Sequence, residues 1–228
     1  MTFSIAAYEP ATGQFAAGAV TAMPAVGKLV TYAQAGVGAA CTQAIVNPYL
    51  ALDGLKRLAQ GSSASEALAP LVDQDPGKDF RQCGIVDRAG GSWAWTGAQT
   101  LAWSGHLTRP NVSVQGNRLV GPETVSAVLE AFEDHRGQAL ARRVLEALAA
   151  GEATGADTKG ALSANLTVFD TEAYPLWDVR VDHADDPVAR LRELTDEFES
   201  ELLPHVVKLP TRADPMGDAA REQAGWAA

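Results

Sequence analysis

Alternation of apolar and polar residues dominates the first part of the chain and predicts β-strands. Residues 3–8 and 14–22 alternate with a period of two, and the Pro- and Gly-containing segment 9–13 between them is typical of a turn. The chain therefore opens with a predicted hairpin. Two further apolar segments, 28–34 and 36–46, predict more strands, and the small residues of the second indicate close approach by another element.

The period then changes to that of a helix. Asn47 and Pro48 form a predicted cap and first turn, and apolar residues at 49, 50, 52, 55 and 58 define one helical face that ends near Gly61. The same reasoning predicts a helix over 65–73, strands over 81–87 and 92–96, a short strand over 112–116, helices over 122–135 and 138–150, strands over 161–169 and 176–182, and a helix from Pro187 to Leu203.

This order of elements predicts the fold class. Hairpins in place of regular βαβ alternation indicate antiparallel sheets, and strands that are apolar on both faces indicate sheets that pack against each other beneath helices. We therefore expect a single α+β sandwich domain over residues 1–203. The tail over 204–228 is rich in Pro, charged residues and Ala, and we expect it to lie on the surface or to be partly disordered.

Composition narrows the function classes. The chain has 228 residues and a formal net charge of −10, which argues against nonspecific binding to nucleic acid or to an anionic membrane, since both need clustered cations. The start lacks the basic and apolar regions of a secretory leader, so we expect a cytoplasmic protein. Cys41 and Cys83 lie in apolar strands and predict buried free thiols, and the four histidines lack metal-binding spacing, so we expect no metal and no cofactor.

Thr2 is the first candidate for chemistry. Initiator Met is often removed when residue 2 is small, and its removal would make Thr2 the N-terminal residue. A terminal threonine carries its nucleophile, the hydroxyl, and its base, the free α-amino group, on one residue. Chains also begin with Met-Thr for reasons unrelated to catalysis, so other features have to support this interpretation. Ser4 shares a strand face with Thr2 and is a second candidate for the site.

Carboxamide side chains follow predicted strands at two places. Gln43 and Asn47 end a strand and begin a helix, where amides and backbone N–H groups contact ligands, although Asn47 is also explained as a helix cap alone. Gln115 and Asn117 lie in a second polar bend, which is either a structural turn or a source of hydrogen bonds to a tetrahedral oxyanion. Substrate contacts are predicted for Gln43, Asn47 and Gln115, and a catalytic role for Asn117.

A third polar segment, 157–165, supplies the remaining candidates. Lys159 is predicted to lower the pKa of a neighbouring amine, with a solvated loop lysine as the alternative. Asp157 and Ser163 are predicted substrate contacts in the same segment. Ser4 and Ser163 are also alternative nucleophiles, although no His–Asp pair lies beside either serine in the sequence.

Charged residues also alternate along the predicted strand 176–182. Asp178, Arg180 and Asp182 alternate with valines, so the three charged side chains point to one face and the valines to the other. An ion-paired surface face is the simpler interpretation of this pattern.

Several long segments resemble one known family. They are MTFSIAAYEPATGQFAAGAV, PAVGKLVTYAQAGVGAACTQAIVNP, QGNRLVG, GADTKGALSANLTV and WDVRVDHADDPVARL, which in this order span about residues 2–195. With them the chain resembles the bacterial domain-of-unknown-function 1028 family. The resemblance implies an N-terminal-nucleophile (Ntn) hydrolase-like fold, a four-layer αββα sandwich related to proteasome subunits. It also implies that Thr2 occupies the position of the superfamily nucleophile. The chain departs from the usual sequence pattern of the family at Leu162 and Asn165.

These observations lead to two main hypotheses. The first is an amide-bond hydrolase that acts on a small molecule, with Thr2 as nucleophile, Lys159 tuning its amine, and Asn47, Gln115 or Asn117 as oxyanion donors. The second is a noncatalytic small-molecule binding or assembly protein that keeps the sandwich. If the protein forms a homodimer, we expect the tail over 204–228 or the strand over 36–46 to form the interface.

Overall fold

Two antiparallel β-sheets pack face to face in the computed structural model, which describes residues 1–156 and 160–225. The strands of the larger sheet are β1 (Thr2–Glu9), β2 (Gln14–Thr21), β7 (Trp103–Arg109), β8 (Val112–Leu119), β9 (Ser163–Phe169) and β10 (Trp177–Val181). They lie in the spatial order β10-β9-β2-β1-β8-β7. The smaller sheet contains β3 (Thr31–Gln34), β4 (Gly38–Ala44), β5 (Arg81–Asp87) and β6 (Ser92–Thr96) in sequential order.

Helices cover the outer face of each sheet. The larger sheet packs against α3 (Glu123–Asp134), α4 (Leu140–Ala153) and α5 (Pro187–Glu197) through one hydrophobic core. The smaller sheet packs through a second core against α1 (Pro48–Ala59) and α2 (Ala64–Gln74). The predicted four-layer αββα sandwich of antiparallel sheets is thereby confirmed.

Local sequence signals explain where the helices on the smaller sheet begin. The Asn47 side chain accepts a hydrogen bond from the Tyr49 N–H, and Pro48 occupies the first turn, where its missing N–H is not needed. Ser63 and Glu66 form a reciprocal capping box at the start of α2. These caps satisfy N–H groups that the helix itself leaves unpaired.

Strand β7 was not predicted from the sequence. It lies at the end of the larger sheet, pairs only with β8, and has no fully buried residue. Its sequence, WSGHLTR, shows little of the apolar–polar alternation that predicts a strand. The prediction of a short strand over 112–116 was also too short, since β8 continues to Leu119.

Two other predicted elements have different bounds in the structure. The strand predicted over 28–34 begins at Thr31, because Val26–Lys28 forms a 3₁₀ turn whose first N–H donates to the Ser163 hydroxyl. The helix predicted from Pro187 to Leu203 leaves α-helical geometry after Glu197. A π-helical turn follows at Phe198–Leu202, where Pro204 lacks the N–H that would continue the α-helical hydrogen bonds.

The tail contains two short helices, α6 (Leu203–Val206) and α7 (Gly217–Gln223). The Tyr174 hydroxyl donates to the Pro210 carbonyl at 3.1 Å, and Lys208 Nζ lies 2.8 Å from a Glu222 carboxylate oxygen. Residues 204–225 therefore contact both the β9–β10 connection and each other. Within the described ranges, no helix is both long enough and apolar enough to cross a membrane.

Candidate active site at the start of the first strand

Thr2 begins β1, one of the two central strands of the larger sheet. Its cross-strand partners are Thr21 on β2 and Asn117 on β8, so all three side chains share the face that points toward the smaller sheet. The Thr2 and Thr21 hydroxyl oxygens lie 2.9 Å apart, and both hydroxyls donate to the Met1 carbonyl, at 2.8 and 2.6 Å. Thr2 is half-buried, whereas Thr21 and Asn117 are buried. The three residues form a polar end to the space between the sheets.

A continuous set of hydrogen bonds runs between the two sheets below Thr2. The Gln115 side-chain amide donates to Ser4 Oγ at 2.6 Å, and the Ser4 hydroxyl donates to Gln43 Oε1, also at 2.6 Å. Gln43 Nε2 then donates to Gln82 Oε1 at 2.7 Å and to the Thr2 carbonyl at 3.3 Å. These four buried side chains, together with Asn117, are called the inter-sheet network below.

The predicted substrate contacts in this network differ from Thr2 in their exposure to solvent. Ser4, Gln43 and Gln115 have no exposed surface, and each hydrogen-bonds to another member of the network. A substrate that touched any of them would have to replace one of these bonds. The structure therefore brings all three close to Thr2 and places them behind it, between the sheets.

Gln82 is the member of the network that sequence analysis missed. Its Oε1 accepts from Asn117 Nδ2 at 3.1 Å as well as from Gln43, and its Nε2 donates to the Gly116 carbonyl at 2.8 Å. The sequence does contain a signal for Gln82, because it is a glutamine among the apolar residues of a predicted strand. The role of Gln82 depends on which strands face it across the sandwich, and the local sequence pattern does not contain that information.

Gly84 leaves room for the network on the neighbouring part of β5. A Cβ atom at this position would lie 2.1 Å from Gln115 Oε1 and 2.3 Å from Ser113 Oγ, far closer than van der Waals contact. The Ser113 hydroxyl donates to that same Gln115 oxygen at 2.9 Å. A side chain at residue 84 would therefore displace Gln115 and its bond to Ser4.

Asn47 lies in a different set of contacts. Besides capping α1, its Nδ2 donates to Asp75 Oδ2 at 2.8 Å, and Arg81 Nε donates to the same oxygen at 3.0 Å. Burial alone would raise the pKa of the Asp75 carboxyl, but the hydrogen bonds from Asn47 and Arg81 outweigh it and hold this pKa below its ordinary value. The observed contacts of Asn47 are those of a cap that joins α1 to the end of α2.

Ser163 holds the connection between β2 and β3. It is buried, donates to the Met23 carbonyl at 2.6 Å, and accepts from the Val26 N–H at 3.0 Å. Both groups belong to the loop that follows Thr21. Ser163 thus supports the neighbourhood of Thr2, while the other two candidates of its segment, Asp157 and Lys159, lie outside the described residues.

Neither cysteine is placed for nucleophilic chemistry. Cys41 and Cys83 are buried, and burial raises the pKa of each thiol to about 12, so both are protonated near neutral pH. Across residues 1–156 and 160–225, no group of three or more His, Cys, Asp or Glu side chains is arranged to hold a metal ion.

Comparison with known proteins identifies the family. The fold matches the crystal structure of protein SPO2555 from Silicibacter pomeroyi, a DUF1028 protein, with a TM-score of 0.86, 28% identity, and coverage of 95% of this chain and 98% of that chain. Anbu (ancestral beta-subunit) from Yersinia bercovieri matches with a TM-score of 0.43 and 10% identity over 91% of this chain and 98% of that chain. No curated protein gives a significant match. The model of the family of unknown function DUF1028 matches residues 2–191, and the chain belongs to this family.

Proposed function

We propose that the protein is an N-terminal-nucleophile hydrolase that cleaves an amide bond of a small molecule, with Thr2 as the nucleophile. The observation that carries this proposal is the position of Thr2 at the half-buried end of a central strand, with its hydroxyl 2.9 Å from that of Thr21. The αββα architecture is the Ntn hydrolase-like one that the resemblance to the DUF1028 family implies. Thr2 is fixed by its strand and keeps part of its surface open to solvent, as a nucleophile requires.

The reaction begins once Met1 has been removed. The free Thr2 amine accepts the Thr2 hydroxyl proton as Oγ1 attacks the amide carbonyl carbon. The C–N bond then breaks, the leaving amine takes the proton, and an ester on Thr2 remains. Water attacks this ester with the same amine as base, which releases the carboxylic acid and restores Thr2.

Thr21 has a positioning role in this scheme. In the chain with Met1 in place, the Thr2 and Thr21 hydroxyls share the Met1 carbonyl as acceptor. Removal of Met1 takes that acceptor away, and the Thr21 oxygen then becomes a hydrogen-bond partner for the Thr2 hydroxyl or amine. A buried hydroxyl at 2.9 Å limits the rotamers of Thr2 and orients its oxygen.

Asn117 is the proposed oxyanion donor. It is the direct cross-strand neighbour of Thr2 on β8, and its amide is held by Gln82 Oε1 at 3.1 Å. A carboxamide held in this way gives a preorganised N–H next to the attacked carbonyl. Lys159 remains the predicted group that tunes the Thr2 amine.

A noncatalytic binding or assembly protein is the second candidate function. With Met1 present the Thr2 nitrogen is an amide and cannot act as base, and the Met1 carbonyl accepts from the Thr2 and Thr21 hydroxyls. The two functions therefore differ in one measurable property, the presence of Met1.

Intact-protein mass spectrometry and a matched pair of variants test the proposal. Loss of Met1 is expected in the wild-type chain and also in Thr2→Ser and Thr2→Val, since all three have a small second residue. In a screen of small amides, Thr2→Ser should keep turnover and Thr2→Val, which has the same shape without the hydroxyl, should abolish it. The exposed Thr12→Val is the control. Full retention of Met1, or turnover by Thr2→Val equal to that of the wild type, would reject Thr2 as the nucleophile. The noncatalytic binding or assembly protein would then be the better interpretation.

A further inference from the structure

A cleft of about 520 Å³ opens where the larger sheet extends past the smaller one. Strand β3 is the edge of the smaller sheet and packs over β2 and β9. The last strand of the larger sheet, β10, lies beyond this edge, and its inward-facing side chains Asp178 and Arg180 are exposed. The cleft lies over the part of the larger sheet that the smaller sheet leaves uncovered.

Four polar side chains of β9 and β10 form the floor of the cleft. Arg180 lies directly opposite Asn165, and Asp178 lies directly opposite Thr167. Opposite residues on antiparallel strands point to the same face, and the buried Val179 shows that the other face of β10 meets the helices. The floor thus carries a cation and an anion two residues apart on one strand.

The walls are apolar. Leu55 and Leu52 of α1, Tyr32 of β3 and Phe169 of β9 line the cleft. Leu52 is 47% exposed, although it lies on a helix that otherwise buries its leucines. An apolar wall beside a charged floor is typical of a small-molecule site.

Asn165 lies at the base of the cleft and is only partly satisfied. It is buried, and its Nδ2 donates to Thr31 Oγ1 at 2.9 Å. Its Oδ1 has no hydrogen-bond partner among the described residues. Gly27 makes space for this side chain, since a Cβ there would lie 2.8 Å from Asn165 Cγ. Buried carboxamides normally have all their strong acceptors paired, so the base of the cleft lacks a donor.

The charges define the ligand. Arg180 uses Nη2 to reach Asp182 at 2.9 Å and has further N–H groups for a carboxylate. Asp178 is placed to accept from an ammonium group, and Asn165 Oδ1 can accept from the same group. We propose that this cleft binds a free α-amino acid, with its carboxylate on Arg180, its ammonium on Asp178 and Asn165, and its side chain against Leu52, Leu55 and Phe169. A peptide does not fit as well, because no residue within it carries both charged groups.

This inference does not rest on hydrolysis by Thr2. Pairing along the strands places Asn165 two strands and two residues away from Thr2, roughly 12 Å by ordinary strand spacings. The test therefore uses the full chain with Thr2→Val in the background. Failure of the nucleophile proposal and failure of this one are then seen in separate experiments.

Calorimetric titration with the common L-amino acids is the first measurement. At least one amino acid with an apolar side chain is expected to bind with a Kd tighter than about 1 mM. Arg180→Gln and Asp178→Asn should each weaken binding about tenfold or more, as expected for a lost charge-assisted hydrogen bond. Arg109→Gln, on the opposite edge strand of the same sheet, is the matched control and should bind like its parent.

Modified probes then identify which group each residue contacts. The C-terminal amide of the amino acid that binds lacks the carboxylate. It should bind weakly to the parent, and Arg180→Gln should not weaken its binding further. The N-acetyl derivative lacks the ammonium group, so it should also bind weakly to the parent, and Asp178→Asn should not weaken its binding further. The proposal is wrong if no amino acid binds to the parent. It is also wrong if an amino acid binds to Arg180→Gln and to Asp178→Asn as tightly as to the parent while thermal melting shows both variants folded.

Discussion

Substitution of Gln82 by leucine tests whether the inter-sheet network holds the two sheets together. Leucine is similar in size to glutamine but has neither a donor nor an acceptor. The change removes the Oε1 acceptor of Gln43 and Asn117 and the Nε2 donor to the Gly116 carbonyl, the Gly105 carbonyl and Thr96 Oγ1. Gln43, Asn117 and Gly116 are buried, whereas Gly105 and Thr96 are only part-buried.

The magnitude follows from the partners that remain. Gln43 Nε2 keeps the Gln115 carbonyl at 3.2 Å and the Thr2 carbonyl at 3.3 Å. Thr96 Oγ1 keeps His106 Nδ1 at 2.9 Å, and Gly105 is only part-buried. The two buried groups that lose their bond to Gln82 are therefore Asn117 Nδ2 and the Gly116 carbonyl. At about 2 kcal/mol for each buried polar group left unsatisfied, the free energy of unfolding should fall by about 4 kcal/mol. For a chain of this length, that corresponds to a decrease in Tm of about 12 °C.

Urea denaturation followed by circular dichroism measures the change. The midpoint should move to lower urea with the slope m unchanged, which shows that stability has changed rather than the compactness of either state. Gln99→Leu is the matched control, because Gln99 is exposed and its substitution should stay within about 0.5 kcal/mol of wild type. A loss below about 1 kcal/mol for Gln82→Leu would refute the reasoning, because the network would then contribute no more than an ordinary surface contact.

Four further predictions concern the buried thiols, a buried hydroxyl and a helix cap. Native Cys41 and Cys83 should resist iodoacetamide at about pH 8, since with a pKa of about 12 roughly one thiol in 10⁴ is ionised, and both should react once denaturant unfolds the chain. The free energy of unfolding should also fall as the pH rises from about 9 toward about 12, because the unfolded thiols ionise first; a flat profile above pH 9 would contradict their burial. Ser163→Ala should cost about 2 kcal/mol in urea unfolding, because the buried Val26 N–H loses its acceptor while the Met23 carbonyl is only part-buried, whereas the exposed Ser65→Ala should be near neutral. Asn47→Ala should lower Tm through loss of a cap worth about 1 kcal/mol and should leave any turnover by Thr2 unchanged; a selective loss of turnover would return Asn47 to the substrate site.

Elements bounded by local turn or cap signals could be predicted from the sequence. The strands over 81–87 and 92–96 were predicted with the bounds that the structure has, since Gly90 turns the chain between them with a positive φ. Helix α1 was predicted from its cap and its apolar face. In these cases local pattern and tertiary packing favour the same structure.

Elements without a clear local signal could not be predicted. Strands β6 and β7 are both edge strands without a fully buried residue, but β6 follows a glycine turn, whereas the residues of β7 lack the alternation that indicates a strand. The 3₁₀ turn at Val26–Lys28 depends on the hydroxyl of Ser163, which is 137 residues away in the chain. No local window of sequence contains such a contact.

The candidate site was predicted in part for the same reason. Thr2, Ser4 and Gln43 were selected by their residue types and strand positions, and the structure places them together. Gln82 was missed because its partners come from β4 and β8, which meet only when the sheets pack. The assignment of Asn47 and Ser163 depended on sequence neighbours, whereas their observed hydrogen bonds cap a helix and hold a loop.

The space between the sheets is polar at one end and apolar at the other, and this asymmetry bears on function. Toward one end, the sheets meet through Ala6, Phe15 and Val86, as in an ordinary core. Near Thr2 they meet instead through glutamines whose side chains are fully buried. Replacing a complete buried polar network by apolar residues of similar volume is often neutral or stabilising, although removing one member alone is costly. Stability therefore does not require these glutamines to lie where they do, whereas a nucleophile at the end of β1 requires a rigid backbone and an oriented amide beside it. Gln43 holds the Thr2 carbonyl and Gln82 holds Asn117, which are the two constraints that the proposed chemistry needs.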